Sequence, residues 1–254
     1  MKIFAFLACA AALALPAGPA AAQSDACNKL TVTGHPQYPP FAWRDGARIV
    51  GVAAEMVEAI GKELGLSVES TYTGSWADAQ TAARDGKVDV IFGIYFNDER
   101  ARYLDYVKPA FTIDPVAVFV AKGTVFRFSG RQDLVGKKGV TNQGESYGVD
   151  FDNFMAQNLT VARAQGIDRA FDIVLKGEAD YLIAGLYPGL DEAAKAGLSN
   201  RLEVLKPSLV EADMFVAFSR KSPCLRLVPA FGRKIEEMRK DGRIEAMIAK
   251  SLPR

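Results

Sequence analysis

The chain has 254 residues, with 31 Lys or Arg against 30 Asp or Glu, so its formal net charge is +1. Because 49% of the residues are hydrophobic and 24% are charged, the composition is that of a folded protein and excludes a disordered chain. The balanced charge is not typical of nucleic-acid-binding proteins, and one His with three Cys argues against a dedicated zinc site. We therefore expect neither nucleic acid nor metal as a partner.

The N-terminal segment 1–22 has the three parts of a secretory signal peptide. Lys2 is followed by an apolar run over 3–15, and small residues over 20–22 form a cleavage site. The run of about 13 residues is short for a transmembrane helix, and an uncleaved anchor is the alternative. We predict cleavage near Ala22 and export to the periplasm.

Two cysteines, Cys27 and Cys224, remain after removal of that segment. An exported protein meets an oxidising compartment, where disulfides form and persist. An even pair of cysteines therefore predicts a disulfide rather than two free thiols.

The first half of the remaining chain alternates between strand and helix patterns. Apolar residues from Val52 recur at helical spacing, and Ser75 is a suitable N-cap for a second helix. The predicted elements are a strand over 29–33, a proline-rich loop over 35–41, a helix over 52–64, a strand over 67–72, a helix from 75 to 86 and a strand over 88–92.

The second half continues the same alternation. Strands are predicted over 115–120, 139–141, 180–184 and 215–219, and helices over 170–176, 229–240 and 244–250, with a loop over 142–147 that opens another helix. Strands that alternate with helices are typical of α/β layers with parallel sheets.

Six segments carry a family resemblance when they are taken together in chain order. They are Tyr38-Pro39-Pro40-Phe41, Gly51-Val52 with Glu55, Gly86–Asp89 with Asp98-Glu99-Arg100, Asp133–Lys137 with Gln143–Ser146, Gly177–Asp180, and Met238–Gly242. In this order they resemble the periplasmic solute-binding proteins of polar amino-acid ABC transporters, solute-binding protein family 3. The resemblance spans essentially the whole chain after the signal segment.

This resemblance implies an α/β fold of the periplasmic binding protein type II. Two lobes carry two parallel or mixed sheets and are joined by two crossover strands, here expected over 116–120 and 215–219. Lobe 1 is expected over 23–117 and 217–254, and lobe 2 over 118–216. Both cysteines then fall in lobe 1, which agrees with their pairing.

The resemblance also implies a ligand site between the lobes. Arg100 matches the family arginine that binds a ligand carboxylate, and Gly144 to Ser146 matches a helix start whose N–H groups bind the same group. Tyr38 and Trp76 match aromatic positions that face the ligand. The implied set is Tyr38, Trp76, Gly93, Tyr95, Arg100, Gly144, Glu145, Ser146 and Gly185. The alternatives are core packing for the aromatic residues and a surface ion pair with Asp98 or Glu99 for Arg100.

Three positions depart from the family pattern around the ligand ammonium. Gly185 stands where the family commonly has an acidic residue, Glu145 where it has Thr or Ser, and His35 where it often has Asp. Either Glu145 supplies the anion from another direction, or the ligand is not an α-amino acid. His35 itself is expected to be a satisfied loop residue.

These features predict a non-catalytic, monomeric component of an ABC importer. It would bind a small carboxylate-bearing solute, an amino acid or derivative, without a cofactor, and present it to an inner-membrane permease. One alternative is an enzyme resembling cyclohexadienyl dehydratase, for which Glu145 is the acidic group. The other is an accessory protein of a periplasmic oxidoreductase system.

Overall fold

The structure is a computed structural model that describes residues 27–251. The predicted signal peptide at 1–22 lies outside these residues. Among the helices of the described part, none has the length and apolar character needed to cross a membrane.

Strands and helices alternate along residues 27–251, as the sequence predicts. The strands are β1 (Lys29–Gly34), β2 (Gln37–Tyr38), β3 (Ala42–Asp45), β4 (Arg48–Val50), β5 (Ser67–Ser70), β6 (Val90–Tyr95), β7 (Leu104–Tyr106), β8 (Thr112–Ala121), β9 (Lys138–Asn142), β10 (Thr160–Ala164), β11 (Tyr181–Gly185) and β12 (Leu202–Ser219). The helices are α1 (Val52–Glu63), α2 (Trp76–Asp85), α3 (Asp98–Ala101), α4 (Val149–Asn158), α5 (Ile167–Leu175), α6 (Leu186–Lys195), α7 (Val228–Lys240) and α8 (Arg243–Ser251).

A nine-stranded mixed sheet runs through both lobes in the order β10-β9-β11-β8-β12-β6-β1-β5, with β7 also paired to β12. Pairing is parallel among β1, β5 and β6 and among β9, β10 and β11, and antiparallel where β8 and β12 join these groups. The long strands β8 and β12 therefore connect a first lobe, with β1, β5, β6 and β7, to a second lobe, with β9 to β11. This is the predicted α/β architecture with two crossover strands.

The strands at the centre of each lobe are buried on both faces. Every residue of β6 and of β11 is buried, which is why these segments appear in the sequence as nearly continuous apolar runs. The carboxyl ends of β6 and β11 lead into the region where the lobes meet, so the sheet core positions the site.

Helix α2 shows how local sequence fixes one wall of that site. The Ser75 hydroxyl accepts a hydrogen bond from the Asp78 amide, and the Asp78 carboxylate accepts one from the Ser75 amide at 2.8 Å. This capping box starts the helix at Trp76, and Gly86 ends it with a left-handed φ of 78°. The prediction of this helix and of its N-cap is confirmed.

The second crossover strand is much longer than the sequence predicts. The predicted strand over 215–219 is only the last part of β12, which pairs with β8 along most of its remaining length. Its earlier part has exposed acidic residues at 211 and 213, so it lacks the continuous apolar pattern of a buried strand. The predicted lobe boundaries, 117/118 and 216/217, fall inside β8 and β12 and stay a prediction.

A disulfide joins Cys27 to Cys224 with a Cα–Cα distance of 5.3 Å. Cys27 lies just before β1, and Cys224 lies just before the helical turn Leu225–Leu227 that leads into α7. The bridge therefore links the start and the late part of the chain within the first lobe.

Candidate ligand-binding cleft

The predicted site residues meet where the two lobes face each other, with one exception. The first lobe contributes Tyr38, Trp76, Tyr95 and Arg100, and the second contributes Gly144, Glu145, Ser146 and Gly185. The exception is Gly93, which lies at an irregularity in the pairing of β6 with β12. Its φ is +69°, and a side chain there would contact Ala42 in the first lobe. We therefore assign Gly93 a role in the backbone conformation of β6 and not in ligand contact.

Arg100 is a buried cation whose partners are all neutral. Its side chain is 3% exposed, and its guanidinium donates to Gln80 Oε1 at 3.0 Å, to the Tyr95 carbonyl at 3.0 Å and to the Gly144 carbonyl at 2.9 Å. Within residues 27–251 it forms no ion pair; Glu99 instead pairs with Arg84. A buried charge without a counter-ion is unfavourable, so Arg100 is suited to bind an anion.

Three side chains of the first lobe hold the loop between β9 and α4. Gln80 Nε2 and Arg100 both donate to the Gly144 carbonyl, and Asn97 Nδ2 donates to Ser146 Oγ at 2.8 Å. Asn97 Oδ1 also caps α3 by accepting from the Arg100 amide at 2.7 Å. The helix start that the resemblance implies at Gly144 to Ser146 lies later, at Val149.

His35 bridges the lobes through Glu145. Its Nε2 lies 3.0 Å from Glu145 Oε1, and its Nδ1 accepts from the Gln37 amide at 2.9 Å. Because Nδ1 is an acceptor, the ring proton lies on Nε2 and the imidazole is neutral. Glu145, whose side chain is 9% exposed, therefore has a neutral donor and no cationic partner among the described residues.

The centre of the cleft is filled by protein. A Cβ atom added at Gly185 would lie 2.1 Å from Tyr38 Oη, so only glycine fits beside this hydroxyl. His35 packs against Tyr38 and Trp76 with ring centroids 5.1 and 4.9 Å apart. The remaining central cavity has a volume of only about 10 Å³, about the space of one water molecule. Tyr38 thus occupies the position where the resemblance places the partner of a ligand ammonium.

A carboxyl group that the sequence analysis missed lies behind this centre. Asp114, on β8, is fully buried, and its Oδ2 accepts from Tyr38 Oη at 2.7 Å and from Tyr95 Oη. Burial raises the pKa of Asp114 to about 7, although the hydrogen bonds from the two hydroxyl groups oppose that rise.

The two tyrosine hydroxyl oxygens also lie 2.5 Å from each other, and each contacts Asp114 Oδ2. The three oxygens therefore form one buried hydrogen-bonded cluster.

A polar cavity of about 380 Å³ lies beside the sealed centre. Arg100 and Glu145 both line it, together with Asn97, Ser146 and Arg163. Arg163 is held by a hydrogen bond of 2.7 Å to the Glu145 carbonyl. The cavity therefore brings the buried Arg100 and the half-buried Glu145 to one space without an ion pair between them, and Arg84 and Glu99 also line it.

Several residues of the site had sequence signals that could have revealed them. Asn97 directly precedes Asp98-Glu99-Arg100, and an Asn before a helix is an N-cap signal. Gln80 lies one helical turn after Trp76, on the same side of α2. Asp114 is a lone acidic residue near the start of an apolar strand. The contact of Gly185 with Tyr38 has no local signal.

The chain matches the family model of bacterial extracellular solute-binding proteins, family 3, over residues 30–253. The chain belongs to this family. The motif order and the two-lobed fold therefore reflect membership rather than a chance likeness.

Individual relatives of this family member are distant. It is 22% identical over 234 residues to a probable histidine-binding protein of Campylobacter jejuni, covering 87% of this chain and 84% of the relative. A histidine kinase sensor domain with similarity to periplasmic binding proteins matches with a TM-score of 0.74 at 25% identity, covering 88% of this chain and 96% of that one. An ancestral arginine-binding protein bound to arginine matches with a TM-score of 0.72 at 22% identity, covering 89% and 99%.

Proposed function

We propose that this family member is the periplasmic solute-binding component of an ABC importer and that it binds a zwitterionic amino acid or a close derivative. The observation that carries the proposal is the pair of unlike charges that line one cavity. Arg100 has only neutral partners, Glu145 has a neutral His35, and the two do not pair with each other. A ligand with one carboxylate and one ammonium would neutralise both.

The guanidinium of Arg100 has the capacity to bind a carboxylate without losing its present partners. It has five N–H donors, and three of them are used by Gln80, Tyr95 and Gly144. Charge-assisted hydrogen bonds from a guanidinium to a carboxylate are stronger than bonds to a carbonyl. A ligand carboxylate at this position therefore adds a counter-ion that the protein itself does not supply.

Glu145 is the proposed partner of the ligand ammonium, in place of the acidic residue that Gly185 replaces. A carboxylate accepts several hydrogen bonds, so Glu145 can keep its contact with His35 and accept from an ammonium. The aromatic walls of Tyr38 and Trp76 serve mainly to seal the centre and to orient His35.

We propose that solute binding is coupled to closure of the lobes about β8 and β12. The hydrogen bonds from Arg100, Gln80 and Asn97 to the 144–146 loop cross the cleft and must break when it opens. A solute that contacts Arg100 and Glu145 adds contacts present only in the closed form, and therefore shifts the population toward it.

The wider context follows from the family and from the chain itself. The signal-like segment at 1–22 and the Cys27–Cys224 disulfide both support export to an oxidising compartment. We propose a monomer that delivers its solute to an inner-membrane permease and carries out no reaction on it. Loss of uptake of the solute by cells that lack this chain tests delivery, whereas a sensor would leave uptake unchanged.

A thermal-shift screen of the purified protein against the standard amino acids tests ligand class. A ligand at 100 times its Kd stabilises the native state by about 2.7 kcal/mol. We expect at least one amino acid to raise the Tm of the wild type and of the exposed control Arg102→Gln, but not of Arg100→Gln. Arg100→Lys, which keeps the charge and loses the bidentate geometry, should show an intermediate shift.

Two results of this screen contradict the proposal. One is the absence of a shift with every amino acid. The other is an equal shift in the wild type and in a folded Arg100→Gln variant, because it would remove Arg100 from the site.

A further inference from the structure

A second groove between the lobes is larger than the cleft cavity and different in chemistry. Its volume is about 810 Å³, near the upper end of the range for small-molecule sites. Tyr147 lines both this groove and the sealed centre, so the two spaces are neighbours. None of Arg100, Glu145 and Ser146 lines the groove, which separates it from the proposed amino-acid site.

The walls of the groove are rich in aromatic rings from both lobes. They are Tyr95, Phe96, Tyr106, Tyr147, Phe151 and Phe215. Phe96, Tyr106 and Phe215 form a chain of edge-on contacts, with centroids 5.1 and 5.5 Å apart. Phe96 is 39% exposed, unusually high for a phenylalanine in this fold. The other five rings are buried, so Phe96 is the ring best placed to pack on a flat apolar group.

Cations lie together at one side of the groove. Arg239, on α7, donates a hydrogen bond of 3.0 Å to the Ala110 carbonyl and so lies against the segment that carries Lys108. Within residues 27–251 neither cation forms an ion pair with a carboxylate. This side is therefore suited to bind an anionic group.

Acidic residues lie together on β12. Glu211 and Asp213 are two residues apart on the strand, so their side chains are on the same face, and both are exposed. Neither forms an ion pair with a described residue. By contrast, Arg131 and Asp150 at the groove are paired with each other at 2.5 Å. At the groove, the described charges without ion-pair partners are thus two cations, Lys108 and Arg239, and two carboxylates, Glu211 and Asp213.

We infer that this groove is a second ligand site, for an aromatic zwitterion larger than a single amino acid. Its apolar body packs on Phe96 and Tyr106, its carboxylate contacts Arg239 and Lys108, and its ammonium contacts Glu211 and Asp213. Because both lobes line the groove, its ligand favours the closed arrangement.

Isothermal titration with the dipeptide Phe-Phe and three analogues tests this site. The analogues are Ala-Ala, which lacks the rings, N-acetyl-Phe-Phe, which lacks the ammonium, and Phe-Phe-amide, which lacks the carboxylate. We expect Phe-Phe to bind and each analogue to bind about tenfold or more weakly.

Charge-removing variants locate the ligand. Glu211→Gln with Asp213→Asn should weaken Phe-Phe about tenfold and leave N-acetyl-Phe-Phe unchanged, whereas Arg239→Gln should weaken Phe-Phe and leave Phe-Phe-amide unchanged. The matched control is Arg233→Gln, an exposed arginine on the same helix that does not line the groove. The amino-acid response proposed for the cleft should persist in the groove variants.

Three outcomes overturn the inference. One is no binding of Phe-Phe at millimolar concentration, and another is equal binding of Ala-Ala. The third is a loss of Phe-Phe binding in Arg100→Gln together with full binding in the groove variants, which would place the peptide in the cleft. Failure of the amino-acid screen alone would not affect the groove.

Discussion

The centre of the cleft and the polar cavity beside it are neighbours, yet they differ in how far the protein satisfies its own groups. At the centre, Tyr38 fills the space beside Gly185, and the remaining volume is about 10 Å³. In the adjoining cavity of about 380 Å³, Arg100 and Glu145 keep unmatched charges. Binding capacity therefore lies where largely buried charges lack ion-pair partners, and not at every position where the family would place a ligand.

The tightest contact of the centre gives the largest expected effect. Gly185→Ala places a methyl group against Tyr38 Oη, which should destabilise the closed form by about 3 kcal/mol. Opening of the lobes relieves this clash, so we expect a larger radius of gyration in solution scattering than for the wild type.

Gly130→Ala is the matched control, because an added Cβ there meets nothing within 4 Å. A Gly185→Ala protein as compact as the wild type and this control would show that the centre is not sealed as described.

Asp114 should make stability depend on pH. Its pKa of about 7 in the folded state lies above the unfolded value of 3.8, so the folded state binds the extra proton between these values. The contribution is complete below about pH 3.8 and is lost as pH rises to about 7. Between pH 5 and 7 we expect the free energy of unfolding of the wild type to fall relative to Asp114→Asn by about 2 kcal/mol.

Chemical denaturation of both proteins across this pH range is the measurement. Parallel pH profiles for the wild type and Asp114→Asn would contradict the raised pKa of Asp114.

Glu145→Gln separates charge from shape in the polar cavity. The amide oxygen can still accept from His35 Nε2–H, so the lobes keep their contact while the negative charge is removed. We expect the affinity for an amino acid to fall about tenfold or more, equivalent to about 1.5 kcal/mol. The affinity for the deaminated analogue should stay the same.

His35→Gln serves as the control that alters the same contact without removing the carboxylate. If Glu145→Gln and His35→Gln weaken the zwitterion and the deaminated acid equally, Glu145 acts only through the shape of the loop.

The smallest effect is expected for the hydrogen bond between Asn97 and Ser146. Ser146→Ala removes an acceptor across the cleft, and a neutral hydrogen bond contributes about 1 kcal/mol. We therefore expect solute affinity to fall about fivefold. The control is Thr124→Ala, which removes a hydroxyl hydrogen bond within the second lobe and should leave solute affinity unchanged. An equal loss of affinity in both variants would exclude a role of the Asn97–Ser146 hydrogen bond in closure.

Local signals explain how much of the molecule could be predicted. Ser75 and Gly86 bound α2 as their cap chemistry requires, and buried strands such as β6 give continuous apolar runs. The sequence predicts only the last part of β12 because the exposed face of its earlier part carries Glu211 and Asp213. Such a strand is stabilised by its pairing with β8 and has no apolar pattern of its own.

The sequence predicts which residues form the candidate site but not the contacts that these residues make. The motif around Arg100 placed it at the lobe interface, but its neutral partners depend on Gly144, which is distant in sequence. Likewise the filling of the Gly185 position by Tyr38 and the neutral tautomer of His35 are set by tertiary contacts. No pattern within a short window of sequence carries that information.

The most direct test of the central claim, that Arg100 and Glu145 together bind a zwitterion, is a titration calorimetry comparison. The strongest amino acid from the thermal-shift screen is titrated beside its deaminated acid and its decarboxylated amine. We predict that the amino acid binds at least about tenfold more tightly than either analogue. Equal affinity of the amino acid and one analogue would contradict the claim, because one of the two buried charges would then have no part in binding.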